Sequence, residues 1–139
     1  MTTSRCEAAI RIAAAVIVDD AGRTLLVRKR GTRAFMQPGG KVGSGEAAVE
    51  ALTRELREEL GCGALGEPRS LGSFSAAAAN EPGRIVEAEL FAVDLAGEIE
   101  PASEIEEARW HHPDEVPQFA LAPLTRDHVL PLVRDWGRR

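Results

Sequence analysis

Apolar and polar residues alternate along the chain in a way that predicts strands interrupted by helices. Apolar residues dominate "IRIAAAVIVDD" near the start and "TLLVRKR" after a turn at residues 19–22. Short runs rich in β-branched residues and bounded by turn residues are typical of strands. Further strands are predicted at "RSLGSFSA" and "RIVEAELFAVDL", on either side of a turn at "NEPG", and at "EARWHH".

Two segments show helical spacing instead. Residues 46–60 carry four apolar residues at intervals of three and four, which predicts a helix with one buried face, and Gly61 ends it. The four are Val49, Leu52, Leu56 and Leu60. A second helix is predicted at "LAPLTRDHVLPLVRDW", where Pro131 disturbs the middle because proline has no N–H to donate. Helices among strands indicate an α/β sandwich.

Composition narrows the class of protein. The chain has 139 residues, 44% of them hydrophobic and 28% charged, as expected for one globular domain over residues 1–139. The net charge of −5 argues against a nucleic-acid partner. No apolar run reaches the ~20 residues of a membrane span. Because the start of the chain also lacks the basic segment of a signal peptide, and because Cys6 and Cys62 form no disulfide framework, we expect no membrane partner and a cytoplasmic location.

The segment "RELREELG", residues 54–61, concentrates three carboxylates, those of Glu55, Glu58 and Glu59. On a helix these side chains are neighbours, and like charges at this spacing are destabilising. Arg54 has the right spacing to pair with Glu58, whereas Glu55 and Glu59 have no cation three or four positions away. Two interpretations stay open: a solvated charged helix, or a site for a hard divalent cation such as Mg²⁺.

The loop ahead of this helix, "PGGKVGSGE", is rich in glycine. Glycine permits positive φ and a close approach of the backbone to a ligand, and such a loop before a helix N-terminus suits phosphate. The sequence does not match the P-loop pattern. Since the net charge is negative, we expect a bound cation to help hold any anionic ligand.

Together these residues resemble the signature box of the Nudix (MutT-like) hydrolases. The matching positions are Gly40, Glu46, Arg54, Glu55, Leu56, Glu58, Glu59, Gly61 and Cys62. At Cys62 the family prefers an aliphatic residue, and cysteine is a small hydrophobe. We call residues 40–62 the box. The resemblance implies a Nudix α/β/α sandwich with a mixed β-sheet, in which the box forms a loop–helix–loop.

The resemblance also implies an activity: hydrolysis of a nucleoside diphosphate linked to another moiety X, with a small-molecule nucleotide as substrate. Mg²⁺ is the implied cofactor and Mn²⁺ an alternative. A monomer and a homodimer are both compatible with the family. The alternatives are hydrolysis of 8-oxo-dGTP, a non-catalytic nucleotide-binding module, and an isomerase on the same fold, although isomerases of this type are longer.

Roles within the box follow from the resemblance alone. The implied metal ligands are the backbone carbonyl of Gly39 and the carboxylates of Glu55, Glu58 and Glu59. Glu55 is either a ligand or the base that takes the proton from water. Arg54 is expected to orient an acid of the cluster, and Glu46 to stabilise the loop from the first turn of the helix.

Outside the box, Glu104 lies six residues before Trp110, where the family often has a further catalytic acid. A solvated acidic loop is an equally good interpretation. The base pocket is expected between the glycine loop, "AAAANEPG" and the start of the last helix, with Phe35, Asn80, Gln118 and Phe119 as candidate contacts. The many alanines there predict relaxed base selectivity, within about a hundredfold. No asparagine or aspartate occurs in "QFALAPLT", which disfavours 8-oxo-dGTP.

Overall fold

The described part of the chain, residues 9–136 of a computed structural model, contains six strands and three helical segments. The strands are β1 (Ile10–Val16), β2 (Thr24–Lys29), β3 (Gly39–Lys41), β4 (Arg69–Ala77), β5 (Ile85–Ala92) and β6 (Ile105–His111). The helical segments are α1 (Ala48–Leu60), a π-helical turn (Thr125–Val129) and α2 (Leu130–Trp136). The strands and helices predicted from the sequence are all present. Cys6 lies outside the described residues.

The strands form one mixed sheet and one ribbon. The sheet has four strands in the order β3-β1-β5-β4, with β1 parallel to β5 and every other pair antiparallel. The ribbon pairs β2 with β6 in antiparallel register. Met36, ahead of β3, exchanges backbone hydrogen bonds with Val27 of β2, which joins the ribbon to the segment that enters the box.

Strand β1 is buried on both faces, as the period of two along a strand requires when helices cover both sides of a sheet. Ala13 and Ala15 belong to the hydrophobic cluster that includes α1, whereas Ala14 and Val16 belong to the cluster that includes α2 and the π-helical turn. The architecture is therefore the expected α/β/α sandwich with a mixed sheet, and the box forms a loop–helix–loop against β1.

The predicted buried face of α1 is wrong in one position. Val49 is 37% exposed, whereas Ala48, Ala51 and Glu59 are buried with Leu52. The buried face is thus centred between Leu52 and Glu59, about a quarter turn from Val49. The helix also begins at Ala48, so Glu46 precedes it and does not lie in its first turn.

The last helix differs from a regular α-helix. A π-helical turn occupies Thr125–Val129, with the Leu130 N–H donating to the Thr125 carbonyl, and α2 follows. Pro131 has no N–H, so a regular helix would lose a bond at this point, and the wider turn precedes it. Single π-helical turns occur frequently at functional sites. Among residues 9–136, no helix is long and apolar enough to cross a membrane.

Candidate active site

Two glycines allow the start of the box to lie against β1 and α1. Gly39 has φ of 150°, and a Cβ there would collide with the carbonyl oxygen of Ala13. A Cβ on Gly40 would lie 2.5 Å from the carboxyl carbon of Glu55. Because both positions have no side chain, the Glu55 carboxylate lies directly over the backbone of β3, and residues 39–40 follow β1 in antiparallel register.

Glu59 is the buried carboxylate of the box, with 4% of the residue exposed. Its Oε1 accepts a hydrogen bond from the Gly39 N–H at 3.0 Å. Burial raises the pKa of Glu59 to about 7; the Gly39 bond and the charge of Lys29 lower it, and the charges of Glu55 and Glu104 raise it. A buried carboxylate close to two others is an arrangement that a bound cation stabilises.

Arg54 links the loop of the box to its helix. Its guanidinium forms two hydrogen bonds to the carboxylate of Glu46, at 2.9 and 3.1 Å, and one to Glu55 at 2.7 Å. The Gly43 N–H also donates to Glu46 at 2.8 Å, and these bonds lower the pKa of Glu46. Glu46 therefore stabilises the loop, in agreement with its expected role.

The contact between Arg54 and Glu55 corrects one expectation. Helical spacing alone leaves Glu55 without a cation, yet the long arginine side chain folds across the helix and reaches its immediate neighbour. Glu58 lies farther from the same guanidinium, at 3.8 Å, and its side chain is 51% exposed. The three carboxylates therefore occupy different surroundings: Glu59 inside, Glu55 at the edge and Glu58 in solvent.

Glu104 lies near this cluster although it is distant in sequence. Its backbone carbonyl accepts the N–H of Arg30 at 2.7 Å, and the Ala102 N–H donates to the carbonyl of Glu59 at 3.0 Å. These bonds fix the loop between the end of β2 and the end of α1, and the carboxylate acts electrostatically on Glu59. Glu106 is held elsewhere, by a hydrogen bond from Arg30 at 3.2 Å.

The residues present fit a hard divalent cation in donor type and in charge. Carboxylate and carbonyl oxygens are the ligands that Mg²⁺ and Mn²⁺ prefer. Within residues 9–136, no three histidine, cysteine, aspartate or glutamate side chains converge on a ready-made metal site. The carboxylate of Glu59 is already fixed by Gly39, so Glu55 and Glu58 are the groups that would have to turn toward a cation.

A cavity of about 130 Å³ opens beside the box. Its walls are mainly apolar and come from β1, β5, residues 77–79 and the segment before the π-helical turn. Lys29, Gln37, Lys41, Asn80, Glu81 and Thr125 are its polar contributors. A larger and more polar cavity, of about 510 Å³, lies near Asp19 and Trp136 and has no box residue in its lining.

Of the four side chains expected to contact a base, only Asn80 lines the cavity beside the box. Phe35 and Phe119 pack against each other with ring centroids 4.6 Å apart, and the guanidinium of Arg109 lies over both rings. Gln118 is exposed.

A residue that was not expected there, Gln37, also lines the cavity. The sequence feature that could have indicated Gln37 is its position in "AFMQPGG", where it is the one polar side chain in an otherwise apolar segment that leads into the glycines.

A family model described as the NUDIX domain matches residues 9–133. The chain belongs to the Nudix hydrolase family. Enzymes of this family generally use divalent metal ions. The match spans the box, the β-sheet, α1 and the start of α2, so the candidate site lies within the matched residues.

Several relatives are similar over different lengths. A CTP pyrophosphohydrolase of Escherichia coli (strain K12) is 36% identical over 122 residues, which are 82% of this chain and 84% of that protein. An 8-oxo-dGTP diphosphatase of Haemophilus influenzae is 42% identical over 60 residues, 40% of this chain and 44% of that protein. The chain covers only 26%, 52% and 44% of three relatives that match over shorter stretches.

Solved structures show the same fold. The crystal structure of a MutT NUDIX hydrolase from Burkholderia pseudomallei is 26% identical, with a TM-score of 0.73, over 93% of this chain and 98% of that one. The helices on both faces of a mixed sheet are therefore shared with MutT-like proteins.

Proposed function

We propose that this Nudix protein hydrolyses a nucleoside diphosphate linked to a moiety X, with Mg²⁺ as its cation and Mn²⁺ as a substitute. The observation that carries the proposal is the buried Glu59 carboxylate, fixed by the Gly39 N–H within the electrostatic reach of Glu55 and Glu104. This acidic cluster borders an apolar cavity through Gly39, Gly40 and Lys29. With a cation bound, the cluster would suit the anionic diphosphate, and the cavity suits the base.

Each residue of the site has a proposed role in this reaction. The Gly39 carbonyl and the carboxylates of Glu55, Glu58 and Glu59 would hold the cation. When bound, a divalent cation neutralises the diphosphate and lowers the pKa of the water that attacks it. Arg54 positions Glu55 through its 2.7 Å hydrogen bond. A pH–rate profile of Glu55→Gln measured at saturating Mg²⁺ separates a ligand from a base. Saturating cation keeps its ligands deprotonated, so under this condition loss of the base removes the acidic limb, whereas loss of a ligand raises the Mg²⁺ concentration that half-maximal activity requires.

Two groups outside the box complete the proposal. Lys29 lines the cavity and acts electrostatically on Glu59, which supports a role for its ammonium group in attracting a phosphate. Glu104 is exposed and has its backbone fixed beside the cluster, which supports a role for its carboxylate in ordering the attacking water. Further parts of the proposal are one domain over residues 1–139, acting as a monomer or homodimer in the cytoplasm.

The experiment is a panel of nucleoside triphosphates, nucleotide sugars and dinucleoside polyphosphates, incubated with Mg²⁺ or with EDTA and followed by ³¹P NMR. We expect at least one substrate to be hydrolysed with Mg²⁺ and none with EDTA. Glu58→Gln should abolish turnover without disturbing the fold, because Glu58 is exposed, and Glu67→Gln is a matched control outside the box. Nucleotide binding without turnover would instead indicate a non-catalytic module.

A further inference from the structure

The backbone of the segment that carries Gln37 is fixed on three sides. Phe35 forms hydrogen bonds of 2.9 Å with the segment 120–122, and Met36 forms two of 2.8 Å with Val27 of β2. The Pro38 carbonyl accepts a hydrogen bond of 2.9 Å from β1. A residue before proline is also restricted to extended conformations. The side chain of Gln37 is therefore held on a rigid part of the molecule.

Only one end of the Gln37 amide has a partner. The residue is 5% exposed, and its Oε1 accepts a hydrogen bond of 2.7 Å from the hydroxyl of Thr125, which is fully buried. The amide nitrogen, Nε2, is buried and has no hydrogen-bond partner. An unsatisfied buried donor costs free energy, and native structures contain few of them.

The position of this donor relates it to a ligand. Nε2 of Gln37 is a buried donor without a partner, and Gln37 lines the cavity beside the box. The surrounding walls are apolar, with contributions from Ile10, Ile12, Val86 and Leu124. A nucleobase has apolar faces and a polar edge, so it would bury its faces against these walls and present its edge to the amide.

We propose that Gln37 is a specificity-determining residue that reads the base through its amide N–H groups, which donate to a ring carbonyl oxygen and an adjacent ring nitrogen. The inference rests on the proposed nucleotide substrate. Because the amide oxygen of Gln37 accepts the hydrogen bond from the Thr125 hydroxyl, the amide N–H groups are the ones that Gln37 presents to the cavity. Cytosine and guanine offer a carbonyl oxygen beside a ring nitrogen acceptor, whereas adenine has an amino donor in place of the carbonyl.

The consequence is a preference for cytosine or guanine over adenine. This differs from the relaxed selectivity that the alanines in the sequence predict, because a buried hydrogen-bonding group discriminates more strongly than apolar contact does. The preferred substrates are therefore nucleotides whose base carries a carbonyl oxygen beside a ring nitrogen acceptor. Thr125 has a positioning role, since its hydroxyl determines which end of the amide faces the base.

The test compares kcat/KM for CTP, GTP and ATP in the wild type and in Gln37→Leu, which is similar in size but has no donor. We expect the better of CTP and GTP to exceed ATP by about tenfold or more in the wild type, and this ratio to approach one in the variant. Gln118→Leu, the same substitution at an exposed glutamine outside the cavity, should keep the wild-type ratio.

A binding measurement separates this inference from the proposed reaction. CMP, GMP and AMP are titrated in EDTA and followed by NMR, so that no turnover is required. A preference for CMP or GMP that is lost in Gln37→Leu supports the inference even if no nucleotide is hydrolysed. If Gln37→Leu does not fold, Thr125→Val removes the hydroxyl that orients the amide, and it should lower the same ratio.

Three results would overturn the inference. The first is a wild-type preference for ATP or AMP, which would mean that the amide oxygen faces the base. The second is an unchanged ratio in both Gln37→Leu and Thr125→Val. The third is an equal loss of the preference in Gln118→Leu, which would show that the effect does not come from the cavity.

Discussion

The acidic cluster of the box and the cavity beside it are neighbours, but they are built in different ways. The cluster comes mostly from a short stretch of sequence: Glu46, Arg54 and Glu55 are joined by hydrogen bonds, and Glu59 is joined to Gly39. The cavity combines β1, β5, the segment before the box and the segment before α2. Its buried polar pair, Gln37 and Thr125, is 88 residues apart in sequence.

This difference determines what each region contributes. Ion pairs at the surface add little to stability, so the bonds of Arg54 to Glu46 and Glu55 matter mainly for geometry. The cavity is lined by side chains that also belong to the hydrophobic core, such as Ala14 and Leu124. Substitutions of the exposed charged residues of the box, such as Arg54 and Glu58, should therefore change turnover at nearly constant stability, and substitutions around the cavity should change selectivity or stability.

The largest effects are expected at the carboxylates that would hold the cation, Glu58, whose substitution is described above, and the buried Glu59. Glu59→Gln can still accept the hydrogen bond from Gly39 but loses the charge that a cation requires. We expect kcat to fall by roughly a hundredfold or more with a confirmed substrate and Mg²⁺, the size typical for loss of a catalytic group. Glu98→Gln, an exposed substitution outside the box, is the control. Normal turnover by Glu59→Gln would remove this residue from the site.

A smaller but still large effect is expected at Gly40. In Gly40→Ala the new methyl group would lie 2.5 Å from the Glu55 carboxyl carbon, so that carboxylate must move. Misplacement of this kind should lower kcat by roughly ten- to a hundredfold. Gly97→Ala, where a Cβ meets no atom within 4 Å, is the matched control. Equal kcat values for both variants would mean that the position of Glu55 is unimportant.

The pair Glu104 and Glu106 tests how far the cluster extends. If Glu104 orders the attacking water, Glu104→Gln should lower kcat by about tenfold and change KM less. Glu106→Gln should have little effect, because Glu106 forms a surface hydrogen bond to Arg30. Small and equal effects of both substitutions on kcat and KM would mean that neither carboxylate takes part in the reaction and that Glu104 lies in an ordinary solvated loop.

The smallest effect concerns stability at the end of β6, where His111 contacts Phe119 with ring centroids 5.4 Å apart. Burial lowers the pKa of His111; Glu115 opposes the shift, and His112 and Arg109 add to it. Because the folded pKa lies below the unfolded value of about 6.5, the contribution of neutral His111 is complete above that pH and is lost as the pH falls.

We therefore expect the wild-type Tm to fall by more than that of His111→Leu between pH 7.5 and 5.5, by about a few degrees, measured by circular dichroism. The control is His128→Gln, which also removes a histidine, but from the π-helical turn. If both variants have the same pH dependence as the wild type, His111 does not carry this effect.

The sequence predicts most of the fold and the box because their signals are local. The period of two in β1 and the fixed spacing from Gly40 to Cys62 need no knowledge of distant contacts. Val49 was placed wrongly because the direction of the buried face depends on how α1 packs, and packing placed Glu59 inside. Gln37 was missed because its partner, Thr125, is brought to it only by the tertiary fold.

The most direct test of the central claim, that the box is built to hold a divalent cation at Glu59, is the Tm measured across a Mg²⁺ titration. In EDTA, Glu59→Gln should have a higher Tm than the wild type, because it removes a charge whose burial is costly. Millimolar Mg²⁺ should raise the Tm of the wild type, as a ligand that binds the native state does, and leave that of Glu59→Gln nearly unchanged. An identical response to Mg²⁺ in both proteins, with the wild type no less stable in EDTA, would contradict the claim.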